Sequence, residues 1–259
     1  MPELPEVELY SRYFARHALQ QRIARVRVLD ERILGAVRKE AFARALRGRA
    51  FARVRRHGKH LFADAGDTWL HLHFGMSGDL GYYVRREEQP RFARVIFDFD
   101  NGAHLAFEDM RLFGVADTID DPDAFIRLHA LGPDPLDLRL AEFRRLIGKR
   151  RGATKSLLMS QDVIAGIGNL YADETLFQSS IAPRRPVDRL TSAEIRTIFT
   201  TMRKVLLTVI ERHERGEDYP PRYLIHHREE GARCPRCGGT IVKSVVFGRT
   251  TYACTRHQT

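Results

Sequence analysis

The pattern that most restricts the fold of this chain lies in its last 26 residues. Cys234-x2-Cys237 is followed, after 16 residues, by Cys254-x2-His257. Two such knuckles present three thiolates and one imidazole, the ligand set of a closed tetrahedral zinc site, which is structural rather than catalytic. The chain has three cysteines in all, so a disulfide framework is a poor alternative. The spacing predicts one structural Zn²⁺ bound by Cys234, Cys237, Cys254 and His257.

The stretch between the two knuckles predicts a β-hairpin. Residues 240–247 and 250–253 have the composition of strands, and Gly248-Arg249 between them is typical of a turn. This places Arg249 at the tip of the hairpin, pointing outward. An ordinary solvated turn residue is the simpler interpretation of Arg249 taken alone.

The first 120 or so residues predict a β-rich domain with a helix at its start. A helix from about Pro5 to Gln20 and a second at Lys39–Leu46 accompany short runs in which apolar residues alternate. Asn101-Gly102 predicts a tight hairpin in which both residues have positive φ. The alternating runs are 23–29, 50–54, 61–63, 69–74 and 95–99.

Helical periodicity dominates after about residue 120. Asp121-Pro122 and Gly132–Pro135 are typical of a linker. Thr191 or Ser192 predicts the start of the last and longest helix, and the polar residues 215–231 are predicted to be a loop. The helices are expected at 141–147, 157–160, 170–178 and 193–213. The chain is therefore predicted to be α+β in three parts: 1–120, 121–230 and 231–259.

The charge balance indicates a polyanionic partner. Lys and Arg number 43 against 33 Asp and Glu, which gives a formal charge of +10 and a pI of 9.9. DNA or RNA is the first candidate, and a generally basic protein is the alternative. No apolar run is long enough to span a membrane, and the acidic N-terminus argues against a secretion signal.

The N-terminus offers a candidate nucleophile. Pro2 follows the initiator methionine, and removal of Met1 makes the ring nitrogen of Pro2 a free amine with a pKa of about 7.7–8.0. Such an amine attacks an aldehyde-like carbon to form an iminium ion, with Glu3 near enough to move a proton and Glu6 as a second carboxyl group. The alternative is that Pro2 and Pro5 only begin a helix, with Glu6 in its first turn.

A glycine-bearing turn at 165–174 predicts a phosphate contact. Backbone N–H groups at the start of a helix bind phosphate, and Asn169 adds a side-chain donor. Lys155, just upstream, supplies a cation. A dinucleotide-binding fold is disfavoured because no βαβ unit precedes the turn.

Two glycine-flanked loops carry large side chains. Met76, Arg111 and Phe113 have the chemistry of residues that fill the gap left when a base is extruded from a duplex. Core packing is the commoner role for Met and Phe. His73 is equally consistent with a buried histidine and a phosphate contact. Lys59 lies in a basic run, for which a solvated face is the default.

Six separated motifs occur in the order seen in formamidopyrimidine-DNA glycosylases, a family that includes endonuclease VIII. The chain resembles this family from end to end. The resemblance implies an N-terminal β-sandwich, a helix–two-turn–helix domain and a zinc finger, with damaged double-stranded DNA as the partner. It also leads us to expect a monomer in the bacterial cytoplasm, associated with the nucleoid. The motifs are Met1–Glu6, Gly58-Lys59, His73–Gly78, Asp109–Gly114, Gly166–Glu174 and the zinc hairpin.

The resemblance also implies roles for individual residues. Pro2 would attack C1′ of the damaged nucleotide, Glu3 would protonate the sugar ring oxygen, and Glu6 would support the site. Strand cleavage by β- and then δ-elimination would follow from the same covalent intermediate. Lys155 would act near the flipped nucleotide. The residues that would grip flanking phosphates are Lys59, His73, Asn169 and Arg249, and those that would fill the void are Met76, Arg111 and Phe113.

Three departures from the family pattern bear on the substrate. His257 replaces the usual fourth cysteine, and a neutral imidazole is a competent zinc ligand. Leu112 replaces an arginine, and residues 215–231 are shorter than the segment that covers an oxidised purine. Leu4 still favours the purine-specific branch. We therefore expect removal of 8-oxoguanine and formamidopyrimidines, and the alternatives are oxidised pyrimidines or hydantoins, or a non-catalytic lesion-binding protein.

Overall fold

The computed structural model describes residues 1–148 and 150–259, and these form two compact units, Met1–Ala130 and Leu131–Thr259. The predicted α+β architecture is confirmed. We refer to the two as the N-terminal unit and the C-terminal unit. The division into three domains made from the sequence stays a prediction.

The N-terminal unit consists of two four-stranded antiparallel sheets and three helices. The sheet orders are β1-β6-β7-β5 and β2-β3-β4-β8. The strands are β1 (Ile23–Val28), β2 (Arg53–His57), β3 (His60–Asp64), β4 (Trp69–His73), β5 (Gly78–Tyr83), β6 (Ala93–Phe99), β7 (His104–Asp109) and β8 (Val115–Ile119). The helices are α1 (Leu4–Ala18), α2 (Lys39–Leu46) and α3 (Pro122–Leu128).

The core of this unit follows from the period of two in the strands. Val95, Phe97 and Phe99 of β6 point into a large apolar cluster that also takes Leu61 of β3 and Phe14 of α1. The intervening Ile96 faces the opposite side of its sheet and packs in a second, smaller cluster with Tyr83, Ala93 and Ala106. The sheet is therefore apolar on both faces at β6, and this strand is buried from both sides.

The hairpin between β6 and β7 forms where it was predicted, with a different turn. Gly102 has a φ of +85°, and its N–H donates to the carbonyl of Phe99 at 3.0 Å. Among the described residues Asn101 is not one with positive φ. The expectation that both residues have positive φ was therefore wrong. The chain uses a longer loop in which glycine alone takes the left-handed position.

The interpretation of Asp121-Pro122 as a linker was also wrong. Asp121 is the N-cap of α3, and its carboxylate accepts from the N–H groups of Asp123 and Ala124, each at 3.0 Å. Pro122 occupies the first turn, where its missing N–H costs nothing. The same Asp-Pro pair thus begins a helix that belongs to the N-terminal unit.

The described residues of the C-terminal unit include four α-helices and one hairpin. Its longest helix begins as predicted: the Thr191 hydroxyl accepts from the N–H of Glu194 at 3.2 Å, and the Glu194 carboxylate accepts from the N–H of Thr191 at 2.6 Å. The elements are α4 (Leu140–Ile147), α5 (Thr154–Met159), α6 (Asn169–Ser179), α7 (Ser192–Glu214), β9 (Ile241–Val246) and β10 (Arg249–Cys254).

The segment 215–231 is more ordered than a polar loop. It contains a 3-10 turn at Leu224–His227, and Leu224 is fully buried in an apolar cluster with Phe177 of α6. The N–H of Ile225 donates to the carboxylate of Glu174 at 3.0 Å. One apolar side chain and one buried acceptor therefore anchor a stretch whose composition is otherwise that of a surface loop.

The turn of the terminal hairpin lies one residue earlier than predicted. Phe247 and Gly248, with φ of +49° and +71°, are the two turn residues. Arg249 pairs with Val246 and is the first residue of β10, so it lies beside the tip and not at it. The side chain of Arg249 is exposed, as expected.

In the part of the chain that the structure describes, no helix combines the length and the apolar character needed to cross a lipid bilayer.

Candidate nucleic-acid interface and metal centre

The candidate nucleophile precedes the first turn of α1. Glu3 is the N-cap residue of this helix, and the Glu6 carboxylate accepts from the N–H of Glu3 at 2.9 Å. Glu3 is 2% exposed, whereas Pro2 is half-buried and Met1 is 57% exposed. The helix-start role proposed for Pro5 and Glu6 is thus present, whereas Pro2 precedes the N-cap residue and lies outside the helix. Because Pro2 is not part of the helix start, this role does not compete with chemistry at Pro2.

An ion pair that the sequence did not reveal connects α1 to the turn that carries Lys59. The guanidinium of Arg56, at the end of β2, lies 2.8 Å from the Glu8 carboxylate of α1. The same guanidinium donates to the carbonyl of Gly58 at 3.2 Å. The side chain of Arg56 is only 7% exposed. Arg56 therefore fixes the position of the Gly58-Lys59 turn relative to α1, although its basic run suggested a solvated face.

Tyr10 connects α1 to the loop that carries Met76. Its ring stacks on Phe74 with a centroid distance of 4.3 Å, and its hydroxyl donates to the carbonyl of Gly78 at 3.3 Å. Burial, followed by the charges of Asp79 and Glu6, raises the pKa of Tyr10. The hydroxyl is therefore a neutral donor over the whole physiological range.

Asp109 organises the two glycine-flanked loops. This fully buried carboxylate accepts from the Ser77 hydroxyl at 2.5 Å, from the N–H of Arg111 at 3.0 Å and from the N–H of Gly114 at 2.6 Å. A Cβ built on Gly75, whose φ is +55°, would lie 2.3 Å from the backbone of Phe113. The loops 73–78 and 109–114 therefore pack backbone to backbone, which is possible only with glycine at position 75.

The three residues predicted to fill a void in the duplex stand on these loops. Met76 is 42% exposed and Phe113 is 55% exposed, so neither is used for core packing. The Arg111 guanidinium lies 5.0 Å from the centre of the Phe113 ring. Met110, which the sequence did not single out, is also 55% exposed. Leu112, the departure from the family pattern, has a φ of +56° and packs against the apolar core.

His73 belongs to a group of histidines on β3 and β4. His60 pairs with His73 across the two strands, and His60 Nδ1 lies 2.9 Å from His71 Nε2. Burial and the neighbouring histidines lower the pKa of His60 to about 2 and that of His71 to about 3. Burial and the nearby Lys59 charge lower the pKa of His73. These rings are therefore neutral at pH 7, and His73 sits beside the Lys59 turn.

The candidate residues of the C-terminal unit converge on β10. The Lys155 ammonium, fully buried on α5, donates to the Thr250 carbonyl at 3.1 Å and to the Thr251 hydroxyl at 2.7 Å. The side-chain amide of Asn169, at the start of α6, donates to the same Thr250 carbonyl at 3.0 Å. Lys155 and Asn169 are thus brought together next to Arg249, and both support the hairpin.

The charge of Lys155 is balanced inside the protein. Asp173 of α6 lies 2.7 Å from the Lys155 ammonium and 2.7 Å from the guanidinium of Arg228, and the Lys155 and Asp173 side chains are both fully buried. The Asp173 carboxylate also accepts from the N–H of Tyr252 at 3.2 Å. Asp173 and Arg228 were missed in the sequence because only the fold brings residues 155, 173 and 228 together.

The four predicted metal ligands form a compact group. Their ligand atoms all lie within 4.8 Å of one another, with Cys234 Sγ 3.5 Å from His257 Nδ1 and Cys237 Sγ 3.5 Å from Cys254 Sγ. His257 Nε2 lies 3.2 Å from the Phe177 carbonyl, which leaves Nδ1 to face the thiols. Backbone N–H groups of Gly239 and Arg256 point at the sulfurs of Cys237 and Cys254, each at 3.4 Å. This cluster has the donor set for a tetrahedral metal ion.

Comparison with known proteins places the chain in one family. Residues 1–116 match the Formamidopyrimidine-DNA glycosylase N-terminal domain, and residues 131–219 match the Formamidopyrimidine-DNA glycosylase H2TH domain. A Formamidopyrimidine-DNA glycosylase of Geobacter metallireducens is 35% identical, with 100% of both chains covered. One of Desulfitobacterium hafniense is 32% identical over 98% of both chains.

Solved structures agree along almost the whole chain. The wild-type Lactococcus lactis protein in complex with DNA containing N7-benzyl-Fapy-dG has a TM-score of 0.89, with 25% identity and 99% of each chain covered. The Lactococcus lactis protein bound non-covalently to DNA with an AP site has a TM-score of 0.87, with 26% identity and the same coverage. The chain belongs to the formamidopyrimidine-DNA glycosylase family.

Proposed function

We propose that this protein is a base excision repair enzyme that removes oxidised bases from double-stranded DNA and then cleaves the strand. The observation that carries the proposal is the fixed connection of the Pro2-Glu3 terminus, through α1, to three loops. Arg56 connects α1 to the Lys59 turn, Tyr10 connects it to the Met76 loop, and Asp109 adds the Phe113 loop. Membership of a family with solved DNA complexes supports the same assignment.

The proposed chemistry starts from the mature chain end. After removal of Met1, the Pro2 nitrogen attacks C1′ of the damaged nucleotide, and the base leaves with the electrons of the glycosidic bond. Glu3 protonates the sugar ring oxygen, so that the ring opens and an iminium ion forms. Glu6, bonded to the N–H of Glu3, holds the two reacting groups in place.

Strand cleavage uses the same iminium ion. Its positive charge acidifies the hydrogen at C2′, and loss of that proton expels the 3′ phosphate by β-elimination. A second proton loss at C4′ expels the 5′ phosphate by δ-elimination. Hydrolysis of the remaining imine then returns Pro2 as a free amine. The lyase reaction thus needs no nucleophile beyond the one that released the base.

The other candidate residues hold and read the DNA in this proposal. Lys59, His73 and Arg249 grip phosphates flanking the lesion, and the exposed Met76, Arg111 and Phe113 fill the space of the extruded base. Asn169 and Lys155 act on DNA through β10, because their side-chain donors are bonded to Thr250. Zinc held by Cys234, Cys237, Cys254 and His257 stabilises the hairpin and supplies no step of the reaction.

A blocked N-terminus provides the test with a matched control. Wild-type protein and the same chain carrying an uncleaved N-terminal extension are incubated with lesion-bearing duplex and borohydride, which reduces an iminium ion to a stable adduct. We expect trapping only when Pro2 is the first residue, with recovery after the extension is removed by a protease. Pro2→Gly should greatly reduce trapping, and Glu3→Gln should slow base release by about 10²–10⁴-fold. Equal trapping by the blocked chain would reject the proposal.

A preference for oxidised pyrimidines or hydantoins is the second candidate. Two departures from the purine-specific pattern favour it. Leu112 stands where that pattern has an arginine and packs against the apolar core. The segment 215–231, which is shorter than the one that covers an oxidised purine, is anchored by Leu224. Single-turnover rates on duplexes carrying 8-oxoguanine, a formamidopyrimidine, an oxidised pyrimidine or a hydantoin separate the two candidates. Faster release of 8-oxoguanine and the formamidopyrimidine supports the purine preference, and faster release of the oxidised pyrimidine or the hydantoin supports the second candidate.

A further inference from the structure

The tip of the zinc hairpin carries a residue that turn geometry disfavours. Phe247 and Gly248 both have positive φ, +49° and +71°, as in the two-residue turns that strongly prefer Asn-Gly. A side chain with a Cβ is strained in the left-handed region, and Phe lacks the local hydrogen bonding that lets Asn tolerate it. Backbone strain of this kind persists mainly where a function needs the side chain.

Packing does not explain the presence of Phe247. Its side chain is 86% exposed, and Val245 two residues earlier is 60% exposed. A solvent-exposed aromatic ring in a strained turn lowers stability without any gain from burial. A partner outside the chain would account for both the exposure of the ring and the strain of the turn.

The surroundings of the ring indicate the chemistry of that partner. Arg249, exposed at the start of β10, follows two residues later. Arg184 reaches the hairpin and donates to the carbonyl of Val245 at 2.5 Å, and Lys243 on β9 is exposed. An apolar ring at the tip of a hairpin that carries Lys243 and Arg249 and is bonded to Arg184 matches a nucleic-acid strand, whose phosphates lie beside apolar sugar and base surfaces.

The hairpin is held firmly enough to deliver such a contact. Thr250 and Thr251, next to Arg249, accept from the buried Lys155 ammonium at 3.1 and 2.7 Å, and Asn169 donates to Thr250 at 3.0 Å. The metal ligand cluster fixes the opposite end of both strands. Only the Phe247-Gly248 tip extends beyond these supports.

We propose that Phe247 contacts DNA directly, inserting its ring into the groove beside a phosphate bound by Arg249. This inference rests on the proposed function, because the partner is the DNA on which the enzyme acts. Phe247 is a binding residue in this account and takes no part in bond breaking. Asn would relieve the strain of this turn, but it has no apolar ring to place against DNA. The strained Phe is therefore retained.

The test compares Phe247→Asn with Phe247→Leu, and uses Leu128→Ala as the control because Leu128 on α3 is 82% exposed in the N-terminal unit. Affinity is measured on a duplex with a non-cleavable abasic-site analogue over a series of salt concentrations, alongside zinc content and the thermal midpoint. We expect Phe247→Asn to keep its zinc, to melt no lower than wild type and to bind DNA about tenfold more weakly. Phe247→Leu should lose less affinity.

The salt dependence separates this contact from a phosphate contact. Loss of Phe247 removes no charge, so the slope of log affinity against log salt should not change, whereas Arg249→Gln should reduce that slope by about one. A Phe247→Trp chain in a Trp69→Phe background should show altered tryptophan fluorescence on binding. Wild-type affinity of Phe247→Asn and Phe247→Leu, equal weakening in Leu128→Ala, or unchanged fluorescence would each overturn the inference. Borohydride trapping by wild type in the same preparation would show that the proposed function stands independently.

Discussion

The two units support their candidate DNA-contacting residues by different means. In the N-terminal unit, the loops with Met76 and Phe113 rest on a broad apolar core that spans both sheets. In the described part of the C-terminal unit, the hairpin with Arg249 rests on an apolar cluster of five buried residues, two of which, Cys234 and Cys254, belong to the Cys/His group with the donor set for a metal ion. A small apolar cluster cannot by itself offset the entropy of ordering a hairpin.

The polar interactions of the two units also differ: the N-terminal loops depend on hydrogen bonds to one carboxylate, and the C-terminal hairpin depends on buried ion pairs. In the N-terminal unit, the buried Asp109 carboxylate accepts hydrogen bonds from the N–H groups of Arg111 and Gly114 in its own loop. It also accepts one from the Ser77 hydroxyl in the neighbouring loop. In the C-terminal unit, Asp173 carries two buried or half-buried cations, Lys155 and Arg228. We infer that the hairpin depends on metal and ion pairs where the N-terminal loops depend on apolar packing.

Metal removal should show the largest difference between the units. Structural zinc contributes about 10–16 kcal/mol in zinc-finger peptides, so chelation or Cys237→Ser should unfold the hairpin and abolish DNA binding. Hydrogen exchange resolved by peptide measures the effect. Residues 231–259 should lose protection, while β3, β4 and β6 keep theirs. A hairpin that stays protected after complete chelation would contradict the comparison.

The buried ion pair should give the next largest effect. Asp173→Asn leaves the buried Lys155 ammonium without its counter-charge and should lower the free energy of unfolding by about 3–5 kcal/mol. Asp109→Asn is the matched change in the N-terminal unit. It disturbs hydrogen bonds without stranding a charge, and should cost about 1–3 kcal/mol. Urea unfolding of both variants measures these changes. An equal loss of unfolding free energy in the two variants would show that the units do not differ in their dependence on buried charge.

The histidine pair should make the N-terminal unit sensitive to acid. Because the folded state lowers the pKa of His60 to about 2 and that of His71 to about 3, the unfolded chain binds more protons below pH 6.5. The free energy of unfolding therefore falls as the pH drops below 6.5, by roughly 2 kcal/mol per histidine at pH 5. Urea titrations at pH 7 and pH 5, followed at the N-terminal unit, measure it. His71→Phe should reduce the difference.

Glu174 should give the C-terminal unit the opposite dependence on pH. Burial raises its pKa from 4.5 to about 7, so between these values the folded state binds more protons than the unfolded one. Stability should fall as the pH rises from 4.5 to 7, by up to about 3 kcal/mol. Glu174→Gln should abolish the dependence while keeping an acceptor for the N–H of Ile225. If the C-terminal unit gained stability over this range, the interpretation of Glu174 would be wrong.

Local patterns in the sequence predicted most of the secondary structure. The clustering of Cys234, Cys237, Cys254 and His257, α2 at Lys39–Leu46 and the helix start at Thr191 all depend on spacing within a short stretch, and the structure has each of them where it was predicted. The errors also have local causes. Asp-Pro begins a helix as readily as it ends one, and a shift of one residue in a turn moved Arg249 from the tip into β10.

Long-range polar contacts could not be predicted from spacing. Arg56 pairs with Glu8 across 48 residues, and Lys155 and Asp173 meet only because α5 and α6 pack together. Core packing is the commoner role for Met and Phe, but Met76 and Phe113 are both exposed. Gly75 and Asp109 hold their loops in a conformation that turns these side chains outward. Which side of a loop faces solvent is decided by such tertiary contacts.

The most direct test of the account is to locate the covalent bond. Wild-type protein is reduced with borohydride in the presence of lesion-bearing duplex, the DNA is digested, and the tryptic peptides are analysed by mass spectrometry. The account predicts that the sugar remnant is found on the peptide from Pro2 to Arg12, attached at the proline nitrogen, with Met1 absent. A remnant on Lys59, Lys155 or any other lysine, or an active protein in which every molecule retains Met1, would contradict it.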